Sequence, residues 1–219
     1  VALALAAGCA WLFVEIADEV LEGDTRSFDR AVLLALRSAA DPAQPWGPGW
    51  VREMARDFTA MGGFGVLTLL TAAAIGYLLL QRKRHAAILV LAAVAGGQLV
   101  SLALKVGFDR ARPELVPHGT LVHTASFPSG HALMAAVTYL TLGALLAQVH
   151  ASAAMKLYLL GLAVLLTVVV GVTRVYLGVH WPTDVAAGWV VGAGWALLSS
   201  MVMQWLQRRG EVEPPATNV

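Results

Sequence analysis

Charge is scarce in this chain. Asp, Glu, Lys and Arg make up only 13% of its 219 residues, about half the usual quarter of a soluble protein. The net charge of +1 gives no sign of nucleic-acid binding. Cysteine occurs once, as Cys9, which excludes an internal disulfide and a Cys-based zinc site. Because it sits in an apolar run, Cys9 reads as a packed small residue. Also missing are a Walker phosphate loop, an HExxH pair, a dinucleotide glycine fingerprint and any visible internal repeat. What fills the chain instead is hydrocarbon, with 58% hydrophobic residues and a mean hydropathy of +0.69. That composition belongs to an integral membrane protein.

A membrane-spanning helix needs about 20 mostly apolar residues. Six segments approach this, at 1–20, 59–80, 86–108, 131–148, 157–172 and 185–206. The expected fold is therefore all-α and polytopic, with six transmembrane helices in one domain over 1–206 and a polar tail over 207–219 that frays. Residues 1–20 lack a basic start and a small-residue cleavage site, so they are expected as a retained span rather than a signal peptide.

The connection over 23–58 is long. Within it Phe28, Val32, Leu33 and Leu36 recur at helical spacing, opposite Asp29, Arg30 and Arg37. This predicts an amphipathic helix on the membrane surface or on the bundle. Pro42, Pro45, Gly47, Pro48 and Gly49 end it. Trp46 and Trp50 suit the headgroup region. Six spans put both termini on one side, with Arg82-Lys83-Arg84, Lys156 and Arg208-Arg209. The other side carries Arg26, Arg30, Arg37, Arg52, Arg56 and Arg110 besides Lys105, Arg112 and Arg174. Setting the last three aside leaves the sides equal, so counting cations does not orient the chain.

Three polar clusters break the hydrocarbon, and the six-span reading places all of them on one side. The first is Lys105-Val-Gly-Phe-Asp-Arg-Ala-Arg112-Pro113. Lys105 and Arg112 are seven residues apart, so a helix would set both on one face, although Pro113 disfavours helix at Arg112. Cations at a membrane boundary need an anionic partner. Arginine forks onto phosphate oxygens and lysine adds a point charge, while snorkelling to headgroups is the plainer reading.

The second cluster is Pro128-Ser129-Gly130-His131, at the start of a span. A helix N-terminus offers free N–H groups to a phosphate. Gly130 permits close approach, the Ser129 hydroxyl can donate, and His131 can protonate a leaving oxygen. Its plainer reading is a Ser N-cap beside a buried histidine. The third cluster is Arg174-Val-Tyr-Leu-Gly-Val-His180-Trp-Pro-Thr-Asp184. Arg174 adds a clamp, and Asp184 can hold one His180 nitrogen so that the other attacks phosphorus. Alone, it also reads as a capping Asp near an interfacial His-Trp pair.

In this order and spacing the clusters resemble the type 2 phosphatidic acid phosphatase superfamily, which includes vanadium haloperoxidases. The pattern is Lys-x6-Arg-Pro, Pro-Ser-Gly-His, then Ser-Arg-x5-His-x3-Asp, and Thr173 stands here where the family usually has Ser. The resemblance implies a six-helix core covering nearly the whole chain. It implies that His180 forms a phosphohistidine, helped by Asp184, and that His131 protonates the leaving group and then activates water. Lys105, Arg112, Ser129, Gly130 and Arg174 would hold the phosphoryl oxygens, with no metal or cofactor. The implied site faces the outside of a bacterial cytoplasmic membrane. The implied substrate is a membrane lipid phosphate or diphosphate in the bilayer: undecaprenyl diphosphate, phosphatidylglycerophosphate, phosphatidic acid or a lipid A phosphate.

Weaker features remain. The stretch at 56–62 (Arg56, Asp57, Phe58, Thr59, Ala60, Met61, Gly62) resembles one seen in bacterial members, and reads either as a site contact or as a cap by Thr59 or Asp57. His118 and His123 lie between the first two clusters, as gates or as solvated loop residues. His85 and His150 fall on the far side. The Gly192-x-Gly194 pair suits helix packing. A lipid phosphotransferase, a haloperoxidase and an anion transporter are the rival functions, and only transport would survive loss of His180.

Overall fold

The computed structural model describes residues 1–118 and 124–213. Among these residues the chain forms eight helices and no strand. They are α1 (Ala2–Glu22), α2 (Arg26–Ala35), α3 (Gly49–Ala60), α4 (Phe64–Leu80), α5 (Arg84–Phe108), α6 (Gly130–Gln148), α7 (Ala153–Tyr176) and α8 (Pro182–Arg208).

Four of them, α5 to α8, are long and apolar enough to cross a membrane by themselves. Thus the chain is an integral membrane protein. The bent pair α3 and α4, meeting at 47°, would supply a fifth crossing. The expected segment at 59–80 is interrupted, because the chain turns at Met61, Gly62 and Gly63 before α4 begins. The first segment is helical over Ala2–Glu22, but Glu15, Asp18, Glu19 and Glu22 crowd its second half. Six crossings are therefore the sequence expectation, and four or five helical spans meet the length and apolarity it assumes.

Helix α6 is the centre. Leu133, Ala135, Val137 and Thr138 are fully buried on it, packed by α5, α7 and α8. The close approach of α8 requires glycine: a Cβ on Gly188 would lie 2.7 Å from the Ser129 carbonyl oxygen. Gly192 faces Leu133 and Ala136 of the same helix, whereas Gly194 faces Cys9 of α1. The two glycines thus serve different neighbours, and Cys9 is a packing residue.

The surface helix α2 forms as expected, but its buried face is different. Leu33 and Asp29, one turn before it, are fully buried, and Arg37, just past the end of the helix, is buried as well. Phe28 is 57% exposed. Asp29 and Arg37 were expected on the polar side; tertiary partners draw them inward. The C-terminal tail also departs from expectation, since it does not fray at once. Val212 is buried in the cluster of Leu78, Ala86, Ala87, Val90 and Met203. Glu213 accepts hydrogen bonds from the backbone N–H groups of His85 and Ala86, both at 3.3 Å, which caps α5.

Candidate active site

Helices α5 and α7 end, and α6 and α8 begin, at the same pole of the bundle. This follows from the alternating direction of successive helices, with α6 to α7 and α7 to α8 joined by short turns, and it brings the three polar clusters together. Lys105 lies in the last turn of α5, and its Nζ donates to the Ala125 carbonyl at 2.7 Å. Its stem passes over the start of α6, with Cε 3.3 Å from where a Gly130 Cβ would sit. Gly130 therefore leaves room for the lysine.

Helix α5 stops at Phe108, with Asp109 in a left-handed conformation, φ 37°. Lys105 and Arg112 consequently do not share a helix face. Arg112 reaches the site from an extended loop, where Nε donates to Thr124 O at 2.8 Å and Nη1 to Val179 O at 2.6 Å. The same Nη1 lies 3.1 Å from Nε2 of His180. A guanidinium has no acceptor, so Nε2 must be the unprotonated nitrogen. The proton then sits on Nδ1, which faces Ser126 Oγ at 3.3 Å and Asp184 Oδ2 at 3.4 Å.

His180 is 1% exposed, in the turn between α7 and α8. Burial lowers its pKa to about 4, outweighing the hydrogen bond and charge of Asp184, which pull the other way. The imidazole is therefore neutral at pH 7, with a lone pair on Nε2 directed to the cationic side. Burial also lowers the pKa of Arg112, opposed by the charge of Asp184.

Asp184 stands at the third position of α8 and is fully buried. Its Oδ2 accepts from Trp181 N at 2.9 Å and from Ser126 Oγ at 2.5 Å, while Oδ1 accepts from Arg110 Nη1 at 2.5 Å. Its backbone carbonyl accepts from Ser129 N at 2.9 Å, tying the third cluster to the second. Ser129 caps α6 by accepting from Ala132 N at 3.4 Å, which leaves its hydroxyl proton free to donate. His131, in the first turn of α6, lies within electrostatic reach of Arg174, His180, Lys105 and Arg112.

Arg174, 3% exposed in the last turn of α7, donates from Nη1 to Thr59 Oγ1 at 3.0 Å. Its buried Nε has no partner among the described residues. Thr59 belongs to the stretch at 56–62, and Gly62 of that stretch lies against the His131 backbone. Of its two expected readings, contact with the site residues is the one the packing realises. His118 holds the loop after Pro113 through a 2.7 Å bond from Nε2 to the Pro113 carbonyl. His123 lies outside the described residues.

Four residues missed in the sequence complete the arrangement. Ser126 bridges His180 and Asp184. Arg110 and Asp29 meet behind Asp184. Arg37, just past the end of α2, donates to the Tyr176 carbonyl at 2.8 Å and packs against Gly178, whose φ is +74°. Two of them carried a usable signal: Arg110 lies inside the first polar cluster, and Ser126 is a polar residue two places before Pro128. A cleft of about 490 Å³ lies on the Arg110 side and is lined by Asp29, Arg30, Arg110, Arg112, Glu114 and Trp181 among others. His131, Lys105, Ser129, Arg174 and His180 do not line it.

The sequence profile of the PAP2 superfamily matches residues 85–209, which hold all three clusters. The chain belongs to the PAP2 superfamily. It is 33% identical to phosphatidylglycerophosphatase B of Bacillus subtilis over 149 residues, 65% of this chain and 70% of that protein. A shorter match, 40% identity over 77 residues, is to an undecaprenyl-diphosphatase of Sulfolobus acidocaldarius, covering 35% of this chain and 33% of that one. Among solved structures, a transmembrane PAP2-type phosphatidylglycerolphosphate phosphatase from Bacillus subtilis superposes with a TM-score of 0.84 at 26% identity. That match covers 93% of this chain and 98% of the other. Aquifex aeolicus LpxE gives a TM-score of 0.56 at 26% identity, over 70% of this chain and 87% of that one. The enzyme class expected from the motifs, a lipid phosphatase, stands on the same findings.

Proposed function

We propose that this PAP2 protein removes the terminal phosphate from a membrane lipid phosphate or diphosphate, without a metal, through a phosphohistidine at His180. The observation that carries the reading is the asymmetry of the His180 ring. Its Nε2 faces the Arg112 guanidinium at 3.1 Å, while Nδ1 faces Asp184 and Ser126. A phosphoryl group drawn to Arg112 is drawn toward the nucleophilic lone pair.

In the first step Nε2 bonds to phosphorus and the bond from phosphorus to the lipid oxygen breaks. Lys105, Arg112 and Arg174, with the Ser129 hydroxyl and the free N–H groups at Gly130, hold the equatorial oxygens. His131, carrying a proton, gives it to the leaving oxygen, which departs as an alcohol or as a lipid monophosphate. Asp184 stays ionised and balances the positive charge gained by the His180 ring. In the second step water attacks phosphorus, its proton passes to His131, and the N–P bond breaks to release inorganic phosphate. The buried Nε of Arg174 is a further donor suited to a phosphoryl oxygen.

The site would face the outside of the bacterial cytoplasmic membrane, with the lipid tail beside the helices. Phosphatidylglycerophosphate is the first substrate to try, given the names of the Bacillus subtilis matches; undecaprenyl diphosphate, phosphatidic acid and lipid A phosphates complete the set. The test is phosphate release in detergent with EDTA present, comparing wild type with His180→Ala. We expect release from at least one lipid, its loss in the variant, and an acid-labile phosphoryl label on wild type alone. Release undiminished in His180→Ala would refute the nucleophile. Product that appears only with an added lipid acceptor would make the protein a phosphotransferase.

A further inference from the structure

Asp184 turns its two oxygens to different neighbourhoods. Oδ2 serves His180, Ser126 and the Trp181 N–H, whereas Oδ1 meets Arg110 Nη1 at 2.5 Å. The other end of that guanidinium, Nη2, donates to Asp29 Oδ2 at 2.7 Å. Thr183 closes the group, giving its N–H to Asp29 Oδ1 at 3.0 Å and its hydroxyl to Asp29 Oδ2 at 2.7 Å. Asp29 and Asp184 are 1% and 0% exposed, and Arg110 is the cation between them.

We propose that Asp29 and Arg110 are a positioning pair for Asp184, so that the surface helix α2 sets the geometry of the His180–Asp184 contact. The inference rests on His180 being the nucleophile. A planar fork whose two ends are engaged by two carboxylates cannot swing, so it fixes Oδ1 in one place. With Oδ1 fixed by Arg110, and Oδ2 accepting from Trp181 N and Ser126 Oγ, the carboxylate keeps Oδ2 turned toward Nδ1. The contact between Oδ2 and Nδ1 is 3.4 Å, long enough that a small rotation of the carboxylate would lose it. The Arg110 guanidinium also lies 5.8 Å from the ring centre of Trp181, the residue following His180. One side chain thereby steadies both ends of the turn.

A plain tether of α2 to α8 would use the same bonds, so the test must read chemistry as well as stability. The variants are Asp29→Asn, Arg110→Lys, Arg110→Gln and the double Asp29→Asn/Arg110→Gln, in the full chain in detergent, with His180→Ala in parallel. Turnover is measured on the folded fraction with the lipid phosphate that wild type hydrolyses fastest. Misplacing a reacting group by about 1 Å costs about 100-fold, and we expect that loss of kcat in Arg110→Gln, with KM held within about threefold. Asp29→Asn should lose about tenfold, and nothing further when added to Arg110→Gln, because it acts through the arginine.

The acid limb of the pH profile should move upward in Arg110→Gln and return in Arg110→Lys. Removing a cation favours both the protonated carboxyl of Asp184 and the imidazolium of His180. The other charges facing this pair, Lys105, Arg112, Arg174 and Asp29, and the His131 imidazole are unchanged in that comparison. Unchanged kcat in folded Asp29→Asn and Arg110→Lys would overturn the proposal. So would additive losses in the double variant. If Arg110→Gln does not fold, Asp29→Asn and Arg110→Lys decide through kcat alone. Activity retained in His180→Ala would instead refute the nucleophile on which the proposal stands.

Discussion

Replacing Asp184 by asparagine changes one atom type and preserves shape, so its consequences can be followed bond by bond. In the native site Oδ2 accepts from Trp181 N, Ser126 Oγ and His180 Nδ1, and Oδ1 accepts from Arg110. An asparagine has one oxygen to offer. If that oxygen stays with Arg110, the amide NH₂ confronts the Trp181 N–H at 2.9 Å, donor against donor. Ser126 can rotate its hydroxyl to adapt, but Trp181 N cannot. The His180 ring then lowers its energy by taking the other tautomer, with Nδ1 as acceptor and the proton on Nε2. That proton would point at Arg112 Nη1, 3.1 Å away, and the lone pair proposed to attack phosphorus would be gone. If instead the oxygen turns to Trp181, the amide meets the Arg110 guanidinium, again donor against donor.

A wrong-tautomer histidine costs about 10⁴ in kcat where such a nitrogen is essential, which is about 5.4 kcal/mol of transition-state stabilisation. Stability should fall less, by about 1–3 kcal/mol for a buried unsatisfied donor, because Arg110 keeps Asp29 at 2.7 Å. The assay is phosphate release in detergent with the fraction folded fixed by thermal melting. Asp184→Asn with kcat within about tenfold of wild type would refute the tautomer argument, since no route to a free Nε2 lone pair would then need the carboxylate.

Two further outcomes follow from the same geometry. Because burial holds the pKa of His180 at about 4, activity should persist below pH 6 and fall as pH drops through that value, where the ring gains a proton and loses its lone pair. An acid limb of kcat/KM near the 6.5 of free imidazole would show that His180 is not desolvated. Gly188→Ala should destabilise the bundle by about 1–3 kcal/mol through overpacking, since its Cβ would meet the Ser129 carbonyl oxygen at 2.7 Å. Differential melting of the purified protein checks this, and an unchanged melting temperature would mean that α6 and α8 are less tightly apposed.

Much of the site was legible because membrane-embedded charge is expensive. In a chain with 13% charged residues, Lys105, Arg112, Arg174, His131, His180 and Asp184 stand out against hydrocarbon. Helix-end positions followed from Pro128 to His131 and from Pro182 to Asp184, where proline, serine and aspartate carry capping preferences. The bundle's spans were legible for the same reason, except where local chemistry intervened. Glycines near 61–63 bend one segment, and four carboxylates load the end of α1.

The sequence by itself determined the class of molecule, an all-helical membrane protein, and the chemical inventory of its polar clusters, because hydropathy and spacing are local properties. Tertiary structure alone decided which nitrogen of His180 is free, since that depends on Arg112 arriving by a loop rather than along a helix. It alone turned Asp29 inward. Nothing local distinguishes Asp29 from a solvated carboxylate on an amphipathic helix. Only the arrival of Arg110 and Thr183, 81 and 154 residues away in the chain, supplies the donors that make its burial favourable.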